Sequence, residues 1–192
     1  LCSGIAFFAL GETCVKILAA DYHIMQVVWA RYVFHALVFL AIFSRSGIVS
    51  QMKTSRPLLH IARSITLMLG TITFFTALIY LSLPDAVAIN FAAPLIVTAL
   101  SIPFLGEKVG RRRWAAIFVG FLGVLVIIRP GMGMMHWAAI LPLGTAIFYA
   151  SYQIMTRIAG RTEDTKTSLF WTSTVGVIVM SCITPFVWRA PD

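Results

Sequence analysis

The stretch LSLPDAVAINFAAPLIVTALSIPFLGEKVGRRR, residues 81–113, decides the fold of this chain. Ser82 predicts a helix cap, and the following residues 86–105 carry no charge, which is the length of a helix that crosses a bilayer. Asn90 and Pro94 interrupt this apolar run. Because proline has no N–H, the carbonyl of Asn90 loses its usual helical partner. The pattern therefore predicts a kinked membrane helix that lies beside a polar cavity.

The composition of the chain is that of an integral membrane protein. Of its 192 residues, 59% are hydrophobic and 11% are charged, which is too apolar for a soluble domain. The formal net charge of +8 falls between the apolar runs, so we expect a lipid bilayer as partner and no nucleic acid. The three cysteines show neither a disulfide framework nor the spacing of metal ligands. We expect no metal and no other cofactor.

Seven apolar runs follow one another along the chain, and we interpret each as a membrane-spanning helix. The first is not a signal peptide, because Glu12 and Lys16 interrupt it and no cleavage site follows. The chain begins inside this run without a methionine, so we expect it to be a fragment of a longer protein. The runs cover residues 1–19, 25–43, 64–81, 83–105, 114–128, 137–158 and 168–188.

The basic residues are distributed unevenly over the connections between the runs. The connections after the second, fourth and sixth runs, here called the even connections, contain four, four and three lysines or arginines. The odd connections, after the first, third, fifth and seventh runs, contain two in total. By the positive-inside rule, this ratio of eleven to two predicts that the even connections and the N-terminus are cytoplasmic.

A weak internal repeat relates the first run to the sixth. Shifting the chain by 141 residues aligns residues 4–19 with residues 145–160, and this alignment sets Glu12 against Gln153. The two copies lie five spans apart along the chain, and an odd offset places them in opposite orientations. This is the inverted repeat of secondary transporters, and we interpret it as a duplication.

The sequence around the fourth run resembles the drug/metabolite transporter superfamily of the EamA type. Residues 83–131 share with it the mid-helix Pro94, the Leu-Gly-Glu-Lys of residues 105–108 and the basic loop that follows. They also share a next helix that opens on Trp114 and carries a Gly-x-x-Gly pattern. Trp-Ala-Arg-Tyr at residues 29–32 of the second run is similar to that family too.

This resemblance implies an all-α membrane protein of about ten helices in two inverted halves of five, of which about seven helices are present here. Residues 1–130 would form the first repeat, and residues 131–192 the first two helices of a truncated second one. The implied function is a secondary transporter of the bacterial inner membrane. It would export small metabolites, such as amino acids or amphipathic compounds, by alternating access. A homodimer is left open.

Three charged residues lie well inside apolar runs, namely Glu12, Lys16 and Arg31. Each costs at least about 2.5 kcal/mol to insert and usually faces a bundle interior or a wet cavity. In the predicted topology, Glu12 and Arg31 both lie roughly 10 Å below the outer surface. We therefore predict that they pair and line the outer half of a cavity, with Lys16 competing for the same carboxylate. A pair that only joins two helices is the alternative.

Five further residues are candidates for the cavity wall. Asn90, Phe91 and Pro94 lie together on the fourth run, and for Asn90 the alternative is a hydrogen bond between helices. Tyr152 and Gln153 lie on the sixth run, at the inverted counterpart of Glu12.

Two other functions compete with transport. A membrane-embedded acyltransferase or protease would need a nucleophile or paired acids with histidines at membrane depth. Only His35 of the four histidines lies inside a run, and neither an HExxH nor a GxSxG motif is present, so we expect no enzyme. A membrane subunit that does not transport is the third interpretation.

Overall fold

The structure is a computed structural model that describes residue 11 and residues 13–18, 22–43, 52–107, 110–128 and 137–188. Within these ranges the chain forms helices and no strand. Residues 13–18 are helical, and 3-10 turns lie at Trp137–Ala139 and Thr184–Val187. The longer helices are α1 Ile24–Phe43, α2 Pro57–Tyr80, α3 Leu83–Asn90, α4 Ala93–Leu105, α5 Arg111–Ile128, α6 Ile140–Ala159 and α7 Thr165–Ile183.

Five segments of the described chain are long and apolar enough to cross a membrane. Four of them are α1, α2, and α6 and α7 with their 3-10 turns, and the fifth is formed by α3 and α4 together. The α5 helix begins with three arginines, which lower its hydropathy. The prediction of an all-helical, multi-pass membrane protein is confirmed.

The helix α2 begins seven residues earlier than the sequence predicted. The third apolar run was expected to begin at residue 64, whereas the helix begins at Pro57. Proline suits the first helical turn, where its missing N–H would have no partner in any case. His60 and Arg63 made this turn resemble a connection, but both are buried inside the bundle.

The fourth apolar run divides into two helices. Ser82 caps α3 as predicted, and its hydroxyl accepts a hydrogen bond of 3.3 Å from the backbone N–H of Asp85. The α3 helix ends at Asn90, and α4 begins at Ala93 with Pro94 in its first turn. The expected kink therefore takes the form of a two-residue turn at Phe91 and Ala92 that interrupts the helix. Gly106 ends α4 in the left-handed region, at a φ of 67° that favours glycine.

The helices pack around α2 and α6, which form the most extensive contact of the bundle. The α4 helix covers another side of α6, while α1 packs against α7. The contact between α1 and α7 is close, since a methyl group on Gly176 would lie 2.1 Å from Cδ1 of Tyr32. Tyr32 belongs to the main apolar core together with Phe75 and Met180.

The even connections meet at one end of the bundle, here called the even end. The backbone N–H of Ser55 donates to Glu163 across 2.9 Å, which joins the connections after the second and sixth runs. At the end of α6, Nη1 of Arg157 lies 3.5 Å from Oε1 of Glu107, which belongs to the connection after the fourth run. The even connections therefore lie together on the same side of the bundle.

The odd connections meet at the opposite end, here called the odd end. The rings of Tyr80 and Trp137 lie 4.8 Å apart, and those of Trp29 and Trp188 lie 6.0 Å apart. Successive connections therefore lie at alternate ends of the bundle, as the charge pattern predicted. That the even end is cytoplasmic stays a prediction.

Candidate functional site

A cavity of about 220 Å³ lies between α1, α2, α3 and α6. Its apolar wall comes from Leu67, Phe74 and Phe75 of α2. Its polar groups come from four different helices and are those of Arg31, Thr71, Asn90, Thr145 and Tyr149. An apolar pocket with a few converging polar groups is the usual form of a small-molecule site.

Arg31 supplies the positive charge of this cavity. Its guanidinium carbon lies 5.4 Å from the centre of the Phe75 ring, in a cation–π contact. The side chain is half-buried. A guanidinium presents its donors in a planar fork that matches a carboxylate or a phosphate, so the wall at Arg31 suits an anionic group.

Asn90 supplies an amide at the point where the fourth span breaks. Its Oδ1 atom is buried and has no hydrogen-bond partner within the described part of the chain. A buried amide oxygen without a partner is costly, and a donor on a bound molecule would satisfy it. The break between α3 and α4 thus places a polar group against the cavity.

A pair of threonines links α2 to α6 next to the cavity. The hydroxyls of Thr73 and Thr145 lie 2.9 Å apart, and each also bonds to a carbonyl of its own helix. Towards the even end, the ring of Tyr149 stacks on that of Tyr152 at 6.0 Å. The two tyrosines lead from the cavity towards Arg63, whose guanidinium lies 5.5 Å from the Tyr152 ring.

The structure brings some of the predicted site residues together. Arg31 and Asn90, which are 59 positions apart, line the same cavity. Tyr152 does not line it but stacks on Tyr149, which does. Lys16 is exposed, and its Nζ donates to the carbonyl of Leu81 at the odd end.

Other predicted residues lie elsewhere. Phe91 points outwards with 69% of its surface exposed, so it contributes nothing to this cavity wall. Pro94 lines a different cavity, and Gln153 is half-buried. Glu12 lies outside the described residues, so its pairing with Arg31 stays a prediction.

The second cavity has a volume of about 510 Å³ and lies between α4, α5 and α6 at the even end. Glu107 stands at its edge, 3.9 Å from Arg113 and 3.5 Å from Arg157. All three side chains are well exposed, so these ion pairs contribute little to stability. In the described ranges, no three side chains of the usual metal-binding types converge.

The sequence did not reveal a partly buried polar cluster at the even end, here called the clasp. It consists of Thr54 and Ser55 from the connection before α2, His60 and Arg63 from the start of α2, and Glu163 from the connection between α6 and α7. Pro57 was a signal for an earlier start of α2, which would have placed His60 and Arg63 on one helix face. Their pairing across about a hundred residues has no local signal.

Glu163 accepts hydrogen bonds from three residues of the clasp. Thr54 Oγ1 donates at 2.5 Å, the hydroxyl of Ser55 at 3.1 Å and His60 Nε2 at 2.9 Å. Burial raises the pKa of Glu163, but the bonds from Thr54, His60 and Ser55 outweigh this effect and lower the pKa to about 2. The carboxylate therefore stays ionised at neutral pH.

Arg63 forms the inner part of the clasp. It is 2% exposed, and its Nη2 donates to the backbone carbonyl of Ser168 and, at 2.8 Å, to the hydroxyl of Thr172. Its Nη1 donates to Thr156 at 3.4 Å. These bonds connect the first turns of α2 with the end of α6 and the start of α7.

The sequence profile of the EamA-like transporter family matches residues 1–129. The chain belongs to this family. The predicted resemblance is thereby confirmed, and the alternative of a membrane-embedded enzyme is excluded.

Curated relatives carry names of transporters. The chain is 26% identical to the S-adenosylmethionine uptake transporter of Rickettsia felis over 99% of this chain and 67% of that protein. It is 30% identical to the riboflavin transporter of Rhizobium johnstonii, over 73% of this chain and 46% of that protein. The pseudopaline exporter of Pseudomonas aeruginosa is 24% identical over 95% of this chain and 63% of that protein. No solved structure matches the chain significantly.

Proposed function

We propose that this chain is part of a secondary transporter that binds its solute in the cavity of about 220 Å³ lined by Arg31, here called the Arg31 cavity, and moves it by alternating access. The observation that supports this most is that a guanidinium converges in one aromatic-walled cavity with a buried amide oxygen that has no hydrogen-bond partner among the described residues. Ionisable groups at membrane depth usually mark a solute or ion path. Membership in a transporter family agrees with this assignment.

The cavity favours a small solute with a carboxylate or a similar anion. The anion would accept hydrogen bonds from Arg31, and an amine or hydroxyl of the solute would donate to Asn90 Oδ1. The apolar body of the solute would lie on Phe74 and Phe75. At about 220 Å³ the cavity is smaller than the roughly 300–1,000 Å³ of drug-sized sites, which favours solutes of about the size of an amino acid.

The two-repeat organisation and the direction of transport remain parts of this proposal. Residues 1–130 would form one half, and residues 131–192 would begin an inverted second half. Export was expected from the sequence. The relatives include proteins named for uptake and one named as an exporter, so we keep export as the direction to be tested.

The test is solute flux through the full-length protein in liposomes, with a panel of labelled amino acids and amphipathic acids. We expect flux of at least one carboxylate-bearing solute. Removing a hydrogen bond to a charged group costs about 1.5–3 kcal/mol, so Arg31→Gln should weaken solute affinity about 10- to 100-fold. The solute affinity of Arg31→Lys should lie between those of the wild type and Arg31→Gln, because lysine keeps the charge without the planar fork.

The matched control is Arg113→Gln, which removes the same charge from an exposed position at the even end. Equal losses for Arg31→Gln and Arg113→Gln would contradict the proposed site. If the well-folded protein moves none of the solutes, the proposal of a carboxylate transporter is wrong.

A further inference from the structure

The clasp lies directly between the Arg31 cavity and the even end. Leu67 lines the cavity, and Arg63 lies one helical turn before it on α2, with His60 almost one turn further towards the end. On α6, the stacked pair of Tyr149 and Tyr152 leads from the cavity to Arg63. A solute that left the cavity along α2 and α6 towards the even end would pass this cluster.

The clasp consists of two successive polar layers. In the inner layer, Arg63 of α2 binds Thr156 of α6, and Ser168 and Thr172 of α7. In the outer layer, Glu163 accepts hydrogen bonds from Thr54, Ser55 and His60. Every one of these bonds joins α2, or the connection that precedes it, to α6, to α7 or to the connection between them. Separating these elements would break both layers.

The polar character of the clasp suits a contact that opens and closes. In the main core, an opened contact would expose apolar surface such as that of Phe75 and Met180. In the clasp, an opened contact would expose a carboxylate, a guanidinium, an imidazole and hydroxyls, which water hydrates well. Opening the even end therefore costs less free energy than separating the core.

Two atoms of the clasp favour a contact that opens over a permanently closed one. Nδ1 of His60 and Nε of Arg63 are buried and have no hydrogen-bond partner within the described ranges. Buried polar atoms without partners raise the free energy of the closed arrangement. Water could reach both atoms once the cluster opened, and this would favour opening further.

From this geometry we propose that the clasp is the gate that closes the solute path at the even end. Glu163 holds the outer layer and Arg63 the inner layer. The proposal goes beyond the proposed function, because it assigns the closing contact rather than the solute site.

The first test measures access to the cavity in the full-length protein. All native cysteines are replaced by serine, and Thr71→Cys places a thiol in the cavity wall. A membrane-impermeant maleimide is applied separately to each side of membrane vesicles. Glu163→Gln weakens the charge-assisted bonds of the outer layer, while Asp164→Asn makes the same change at the neighbouring exposed residue.

We expect Glu163→Gln to raise the labelling rate of the cavity thiol from the even side about fivefold, which corresponds to the loss of one net hydrogen bond. Asp164→Asn should leave the rate unchanged. Labelling from the odd side should not rise in either variant. An equal rate in the two variants, or an equal rise from both sides, would overturn the gate. This result needs no transport, so it is independent of the proposed function.

The second test locks the clasp. Cysteines at Thr54 and Glu163, whose side chains are 2.5 Å apart at Oγ1 and Oε1, are joined by a short reducible cross-linker in an otherwise cysteine-free protein. We expect solute flux to stop on cross-linking and to return when a reductant cleaves the linker. Continued flux through the cross-linked protein would overturn the gate, and it would also show that the protein transports.

Discussion

At the scale of single residues, the start of α2 shows how this bundle accommodates charge. Arg63 is 2% exposed, yet its guanidinium meets only hydroxyls, a backbone carbonyl and the ring of Tyr152 among the contacts the structure gives it. Around Arg63 one donor group meets several acceptors, whereas around Glu163 several donors surround one carboxylate. In both cases the hydrogen bonds to neighbouring groups offset part of the cost of burying the charge.

The pKa of Glu163 predicts how stability depends on pH. Its folded-state pKa of about 2 lies below the ordinary value of 4.5, so the carboxylate stabilises the folded protein fully above pH 4.5. Below pH 4.5 the unfolded chain takes up the proton first, and the contribution is lost as pH falls towards 2. Thermal unfolding in detergent should therefore show that the advantage of wild type over Glu163→Gln shrinks from pH 4.5 downwards. An advantage that stays constant down to pH 2.5 would contradict this role.

At the scale of helices, the contact between α1 and α7 depends on the absence of one side chain. A Cβ atom at Gly176 would lie 2.1 Å from Cδ1 and 2.5 Å from Cε1 of the Tyr32 ring, which is buried. Small residues allow membrane helices to approach closely, and packing takes the place of the hydrophobic effect there. Gly176 therefore sets the distance between these two helices.

Gly176→Ala should destabilise the folded protein by about 1–3 kcal/mol, the usual cost of overpacking a core. Gly144→Ala is the matched control, because nothing lies within 4 Å of a Cβ atom at that position of α6. The measurement is the thermal midpoint of the purified protein. Tyr32→Leu in the Gly176→Ala background should recover part of the loss. If Gly144→Ala is as harmful as Gly176→Ala, the close contact is not the cause.

Elements that depend on local chemistry were predictable from the sequence. Ser82 caps α3, Pro94 breaks the fourth span and Gly106 ends α4, and each follows from the backbone requirements of one or two residues. The start of α2 was placed too late, because His60 and Arg63 were interpreted as residues of a connection. Their burial depends on α7, which supplies Ser168 and Thr172 more than a hundred positions later.

The candidate site was predictable only in part, for the same reason. The cost of an ionisable group in the membrane singled out Arg31, and the proline effect singled out Asn90. Both line the cavity. Phe91 was grouped with Asn90 and Pro94 on the fourth run, but its side chain points outwards. Which side of a helix faces the cavity depends on packing between distant helices.

At the scale of the whole molecule, the alternation of the connections predicts opposite access at the two ends. Gly110 lies in the connection between α4 and α5 at the even end, and Ser82 lies in the connection between α2 and α3 at the odd end. Both are exposed. In intact cells that express the full-length protein, Ser82→Cys should react with an impermeant thiol reagent, and Gly110→Cys should react only after lysis. The reverse pattern would show that the even end is not cytoplasmic.

Protection of a cavity thiol by solute tests the solute site most directly. The full-length protein carries Thr71→Cys in the cavity or, as a control, Gly110→Cys at the even end. At a solute concentration of ten times Kd about a tenth of the sites stay empty, so alkylation of the cavity thiol should slow about tenfold. Alkylation of the control thiol should not change. If the cavity thiol reacts at the same rate with and without a solute that the protein transports, the solute does not bind in the Arg31 cavity.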